Sequence, residues 1–228
     1  MWALTSVCAL LAVALHERGS LIVLLPATAW AVTSSTVGVL IVRRRHENPI
    51  GWILCASAFF FAFGLSSGTY AVHALVTRPG SLPAGEVAAW LSAWTLEPVY
   101  LMFVYLFALF PDGHTLSRRG RLLLWIAGIL MAAGIVVEAF GPGPVQADEP
   151  FRNPLGVEAA GFFILVAGLV DLLTGLLLVL SVVSVYLRYR RAGGIERQQI
   201  KWLAYAASLL GAVAAVGTID ALLLDVFG

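Results

Sequence analysis

This sequence is poor in charge. Only 12% of its 228 residues are Asp, Glu, Lys or Arg, where a soluble domain carries about a quarter, so water cannot be the solvent for most of its surface. The formal net charge is +1, without the basic excess that nucleic-acid binding requires. Cysteine is nearly absent. Cys8 and Cys55 both fall inside apolar runs, which excludes a disulfide framework and gives no metal-ligand spacing. There is no Gly-rich phosphate loop, no His-Glu-x-x-His and no Gly-x-Ser-x-Gly elbow. None of the four histidines (His16, His46, His73, His114) lies in a long cytoplasmic helix that could accept a phosphoryl group. A kinase or nucleotide-binding domain therefore does not fit, no cofactor is implied, and no catalytic residue is assigned. The first apolar stretch lacks a preceding basic residue, which favours a short transmembrane helix over a cleaved signal peptide.

Hydrophobic residues make up 60% of the chain, and the mean hydropathy is +0.91. They fall into seven runs, Trp2–Leu15, Leu21–Val42, Ile50–Leu75, Val87–Phe110, Leu122–Phe140, Ala159–Tyr186 and Ile200–Phe227. Crossing the hydrocarbon takes about 20 residues. Six runs reach or approach that length, and the first is short. Long, continuous runs imply helices rather than strands. The expected fold is all-α, a single polytopic membrane bundle of about seven transmembrane helices with almost no soluble part.

Arginine sets the orientation. Arg43, Arg44 and Arg45 join the second and third runs, and Arg118, Arg119 and Arg121 join the fourth and fifth. Arg188, Arg190, Arg191, Arg197 and Lys201 join the sixth and seventh. The remaining connections carry only Arg18, Arg78 and Arg152, the last beside Asp148 and Glu149. By the positive-inside rule the basic connections are cytoplasmic, which puts the N-terminus inside and the C-terminus outside. Trp52, Trp125 and Trp202 each follow a basic cluster, where an aromatic belt should lie. Asn48-Pro49 and Asn153-Pro154 precede apolar runs, with Asn suited to cap a helix and Pro to its first position. Pro111-Asp112-Gly113 is a helix stop followed by a turn.

Acidic residues within the spans are the candidates for chemistry, because a mid-membrane charge is costly unless paired or wet. Glu97 lies near the middle of the fourth run and Asp171 near the middle of the sixth. Asp220 and Glu138 lie in the outer parts of the seventh and fifth. No mid-depth lysine or arginine is available to pair with them. Either they are protonated, or they line a polar cavity with Tyr70, Tyr100, Thr174 or Thr218. Pro98 after Glu97 breaks the local hydrogen-bond ladder and frees a carbonyl for such a cavity. A ligand pocket or proton-responsive site competes here with plain interhelical hydrogen bonding. Glu97 and Asp171 are expected to face one shared cavity. Trp90 and Trp94, one turn apart, suit either a pocket floor or an interfacial belt. Gly64 and Gly68 permit close helix approach within the bundle.

The stretch Arg43-Arg44-Arg45-His46-Glu47-Asn48-Pro49-Ile50-Gly51-Trp52 resembles a connection in the N-terminal membrane regions of bacterial sensor histidine kinases. Leu109-Phe110-Pro111-Asp112-Gly113 with Ser117-Arg118-Arg119, then Asn153-Pro154-Leu155-Gly156, then Glu196-Arg197-Gln198-Gln199-Ile200-Lys201-Trp202 resemble the same group in the same order. The family usually adds another span and cytoplasmic signalling domains, and this sequence ends at Gly228 without them. The resemblance implies a stand-alone or truncated, non-catalytic sensor-like module of the bacterial plasma membrane, with the bilayer and a separate kinase or other signalling protein as partners. Two other classes stay open: a small membrane enzyme acting on a lipid or isoprenoid through Glu97 and Asp171, and a transporter or channel subunit.

Overall fold

The computed structural model describes residues 1–16, 21–115, 117–142, 153–157, 160–205 and 208. Among these every regular element is helical. In chain order they are α1 (Trp2–Ala14), α2 (Leu21–Arg44), α3 (Pro49–Val72), α4 (Gly85–Thr95), α5 (Glu97–Leu109), α6 (Arg118–Phe140) and α7 (Ala160–Arg191). A further helix, α8, occupies 194–205. A π-helical segment, His73–Thr77, extends α3.

Five stretches are long and apolar enough to cross a membrane: Leu24–Arg44, Pro49–Thr77, Gly85–Leu109, Arg118–Phe140 and Gly161–Arg191. The expected count of seven is not reached among the described residues. α1 has 13 residues, about 20 Å of helix against a hydrocarbon layer of about 30 Å. Most of the seventh run, with Thr218 and Asp220, lies outside the described residues.

Local chemistry explains several helix ends. Asn48 accepts a hydrogen bond from the Ile50 N–H at 3.0 Å and Pro49 takes the first position of α3, so the Asn-Pro pair begins a helix as its chemistry suggests. Ser117 does the same for α6, accepting from Gly120 N–H at 3.3 Å. Asn153-Pro154 behaves differently. Asn153 accepts from Leu155 N–H at 2.9 Å and donates to the carbonyls of Ala139 and Gly141 at 3.1 and 2.9 Å. It fastens the end of α6, and Pro154 lies in a turn rather than at the first position of a helix. The fourth run is two helices, because Pro98 has no N–H to continue the ladder; both Val99 and Tyr100 donate to Leu96 instead.

α1 and α2 pack on α3, and α4 with α5 bridges from α3 to α6 and α7. The main core joins Leu101 and Val104 of α5, Ala127 and Leu130 of α6, and Val170 and Leu177 of α7. Along α7 the buried positions are Val170, Thr174, Leu177, Ser181 and Arg188, the stripe expected of one helical face. The opposite face shows Leu165, Leu172 and Val179, which are 69%, 69% and 61% exposed. A large, exposed apolar surface of this kind fits a membrane-embedded protein.

Candidate functional site

Two polar regions stand out, one within the spans and one at the basic end of the bundle. The first begins at the break between α4 and α5. Glu97 opens α5 and runs against Gly134 of α6, where an added Cβ would lie 2.5 Å from both Cγ and Oε1 of Glu97. The absent side chain is what makes room for the carboxyl. Glu97 Oε1, Trp94 Nε1 and Thr174 Oγ1 are buried without a hydrogen-bond partner among the described residues. Glu138 lies one helical turn beyond Gly134 on α6, and Asp171 follows Val170, which shares a core cluster with Leu101 of α5, although both acids are exposed on the surface of this chain. Three of the acids singled out from the sequence thus share one neighbourhood.

The other candidates are distributed elsewhere. Tyr70 donates to the Pro83 carbonyl at 2.8 Å, pinning the connection after α3 rather than joining the acids. Tyr100 is 51% exposed. Trp94 meets Trp90 edge to face at 5.9 Å, and Trp90 donates to the Ala139 carbonyl at 2.8 Å. The pair therefore ties α4 to the end of α6. Gly64 and Gly68 face Thr95 and Ser92 of α4, so they serve packing inside the chain. Asp220 lies outside the described residues. Among the described residues no three His, Cys, Asp or Glu side chains converge as a metal site would require.

The Glu97–Gly134 fit has a direct test. Gly134→Ala should destabilise the protein in detergent by about 1–3 kcal/mol through overpacking. In a Glu97→Ala background most of that penalty should disappear, since the colliding atoms are gone. Equal penalties in both backgrounds would show that Glu97 does not occupy the space beside Gly134.

At the basic end, two connections and the last turns of α7 meet. α5 stops at Leu109, and the chain turns through Pro111, Asp112 and Gly113, the last at φ 82°. A Cβ on Gly113 would lie 2.7 Å from Pro49 Cδ and 2.9 Å from Asn48 Oδ1, so glycine is required both by conformation and by close approach to the start of α3. Arg188 reaches this turn from α7 and is 3% exposed. One guanidinium nitrogen donates to Asp112 Oδ1 at 3.0 Å. Another donates to the carbonyls of Ala108, at 3.0 Å, and His114. Ala108 belongs to the last turn of α5, whose carbonyls have no partner within their own helix. A cation from a different helix thus caps α5, where the helix dipole also favours positive charge. Burial pushes the Asp112 carboxyl upward, but the His114 N–H, the Arg188 hydrogen bond and the Arg188 charge outweigh it and hold the group below its ordinary 3.8.

Reading Arg188 only as part of a basic cluster misses this role. The available signal is its spacing: it continues the buried stripe that runs through Val170, Thr174, Leu177 and Ser181. Comparison with family models, with curated proteins and with solved structures returns no match.

Proposed function

We propose that the chain is a non-catalytic sensory or regulatory membrane module, in which α7 carries displacement from the Glu97, Asp171 and Glu138 neighbourhood to the basic end. The observation that carries this reading is that one helix takes part in both polar regions. Val170, next to Asp171 on α7, shares a core cluster with Leu101 of α5, one turn from Glu97, and Arg188, 17 residues after Asp171 or about 25 Å along the axis, grips the turn between α5 and α6. The resemblance of the loop motifs to sensor histidine kinase membrane regions supports the same reading. With it goes a bacterial plasma-membrane location, the basic end toward the cytoplasm, and a separately encoded signalling protein as the recipient of the movement.

Spin labels at Arg119→Cys and Arg190→Cys, both exposed, would report that movement in a background with Cys8 and Cys55 replaced. Glu97→Gln with Asp171→Asn should shift the label-to-label distance by about 2 Å or more, the scale of known helix shifts. An unchanged distribution in a folded double variant would overturn the proposal. Glu97 Oε1 and Trp94 Nε1, without a hydrogen-bond partner among the described residues, also suit a second reading, a small enzyme acting on a membrane lipid. Lipid turnover abolished by the same two substitutions would select that reading instead.

A further inference from the structure

Beyond α7, the helix 194–205 presents one face to an open groove of about 350 Å³. Gly194, Arg197, Gln198, Lys201, Trp202 and Tyr205 line it, at the spacing of a single helical face. That volume falls at the lower end for small-ligand sites. Two cations, one turn apart, face the space, and no carboxylate is among the described residues that line it. Arg197 is held in place: its guanidinium lies 4.8 Å from the centroid of the Tyr189 ring, a cation–π contact. Trp202 and Tyr205, 67% and 68% exposed, meet edge to face at 6.2 Å and form the apolar side of the groove. The groove opens three residues after the apolar span Gly161–Arg191 ends, and so lies where hydrocarbon gives way to headgroups.

We infer that this groove is a binding site for the headgroup of an anionic phospholipid. The phosphodiester would bridge Arg197 and Lys201, Gln198 would donate to a headgroup oxygen, and the glycerol backbone would lie along Trp202 and Tyr205. Charge complementarity selects an anion. The exposed indole and phenol rings select one that continues into the acyl region, because such rings prefer the interface and gain little from a soluble phosphate. The site stands whether or not α7 transmits a signal.

The test uses the full chain in detergent micelles, with dioleoyl phosphatidylglycerol, dioleoyl phosphatidylcholine and glycerol 3-phosphate as probes and bound lipid counted by native mass spectrometry. Retention of phosphatidylglycerol over phosphatidylcholine should be about tenfold or more. The double variant R197Q/K201Q should reduce that preference to within about twofold, and each single variant should reduce it partly. Both residues are exposed, and unchanged melting without lipid would confirm that the variants fold. R43Q/R44Q, which removes equal charge from another connection, should retain the preference. Three results would each overturn the site: no preference in the unmodified protein, an equal loss in R43Q/R44Q, or displacement of the lipid by glycerol 3-phosphate at matched concentration. The last would identify a soluble phosphate as the ligand.

Discussion

Replacing Arg188 by alanine is expected to cost about 3 kcal/mol of stability, the range for breaking buried, charge-assisted contacts, read as a clear fall in melting temperature in detergent. The side chain is 3% exposed and serves three acceptors on a separate stretch of chain. Without it, the Ala108 carbonyl at the end of α5 loses its partner and the Asp112 turn is no longer held to α7. Arg188→Lys should fall between, because an ammonium keeps the charge but lacks the planar fork that spans several acceptors. Asp112→Asn should cost least, at most about 1 kcal/mol, since that carboxylate is 61% exposed and its ion pair is screened.

The same arrangement fixes a pH response. The Asp112 carboxyl is held below its ordinary 3.8 in the folded protein, so its contribution is fully present above that value. It is lost as the pH falls through the lowered one. Wild type and Asp112→Asn should therefore differ near neutrality and converge in strong acid. Melting of Arg188→Ala at the wild-type temperature would contradict the capping role, as would an Asp112→Asn penalty larger than that of Arg188→Ala.

Where the apolar helices run along the chain was legible in the sequence, and their rotation was not. Hydropathy located the apolar stretches, Asn48-Pro49 marked a helix start, and Pro98 marked the interruption that separates α4 from α5. Those signals are local, and the backbone chemistry of Asn and Pro acts within a turn of the residue itself. Which way a helix faces is different. When both the bundle interior and its surroundings are apolar, alternation of polar and apolar residues no longer marks the inside. Small residues mark it instead. The buried face of α3 consists largely of them: Gly51, Cys55, Ser57, Ala58, Ala62, Gly64, Ser66, Ser67 and Ala71.

This is why Tyr70, one of the residues offered as lining a cavity with the acids, donates instead to the Pro83 carbonyl. It is also why Arg188 reads as one arginine among several until its spacing from Val170 is followed along α7. Of the candidate site, the acids Glu97, Glu138 and Asp171 could be picked out by their scarcity. The space beside Gly134 that receives Glu97 could not. A glycine in a membrane helix signals a close approach without naming the partner.

The largest effect expected from a single added side chain is at Gly38 of α2. A Cβ there would lie 2.7 Å from Cys55 Sγ, 2.8 Å from the Gly51 carbonyl oxygen and 2.9 Å from the Cys55 nitrogen. Two of those three atoms are backbone, so no rotamer change in α3 can yield the space. Gly51 meets α2 in the same way, with the Gly38 carbonyl oxygen at 2.9 Å from its notional Cβ. The two glycines form a crossing in which main chains nearly touch, and a larger residue on either side must push the helices apart. Overpacking usually costs about 1–3 kcal/mol. Gly38→Val should reach the top of that range, and Gly38→Ala should fall lower. Substituting Gly51 as well should add little once α2 and α3 are already separated, because neighbouring sites that share one contact are not additive. Gly175→Ala is the internal control, since among the described residues nothing beyond its own helix lies within 4 Å of a Cβ at that position. Measured by thermal melting in detergent, Gly38→Val should melt well below wild type while Gly175→Ala matches it. A Gly38→Val protein as stable as the control would mean that α2 and α3 do not cross at these glycines.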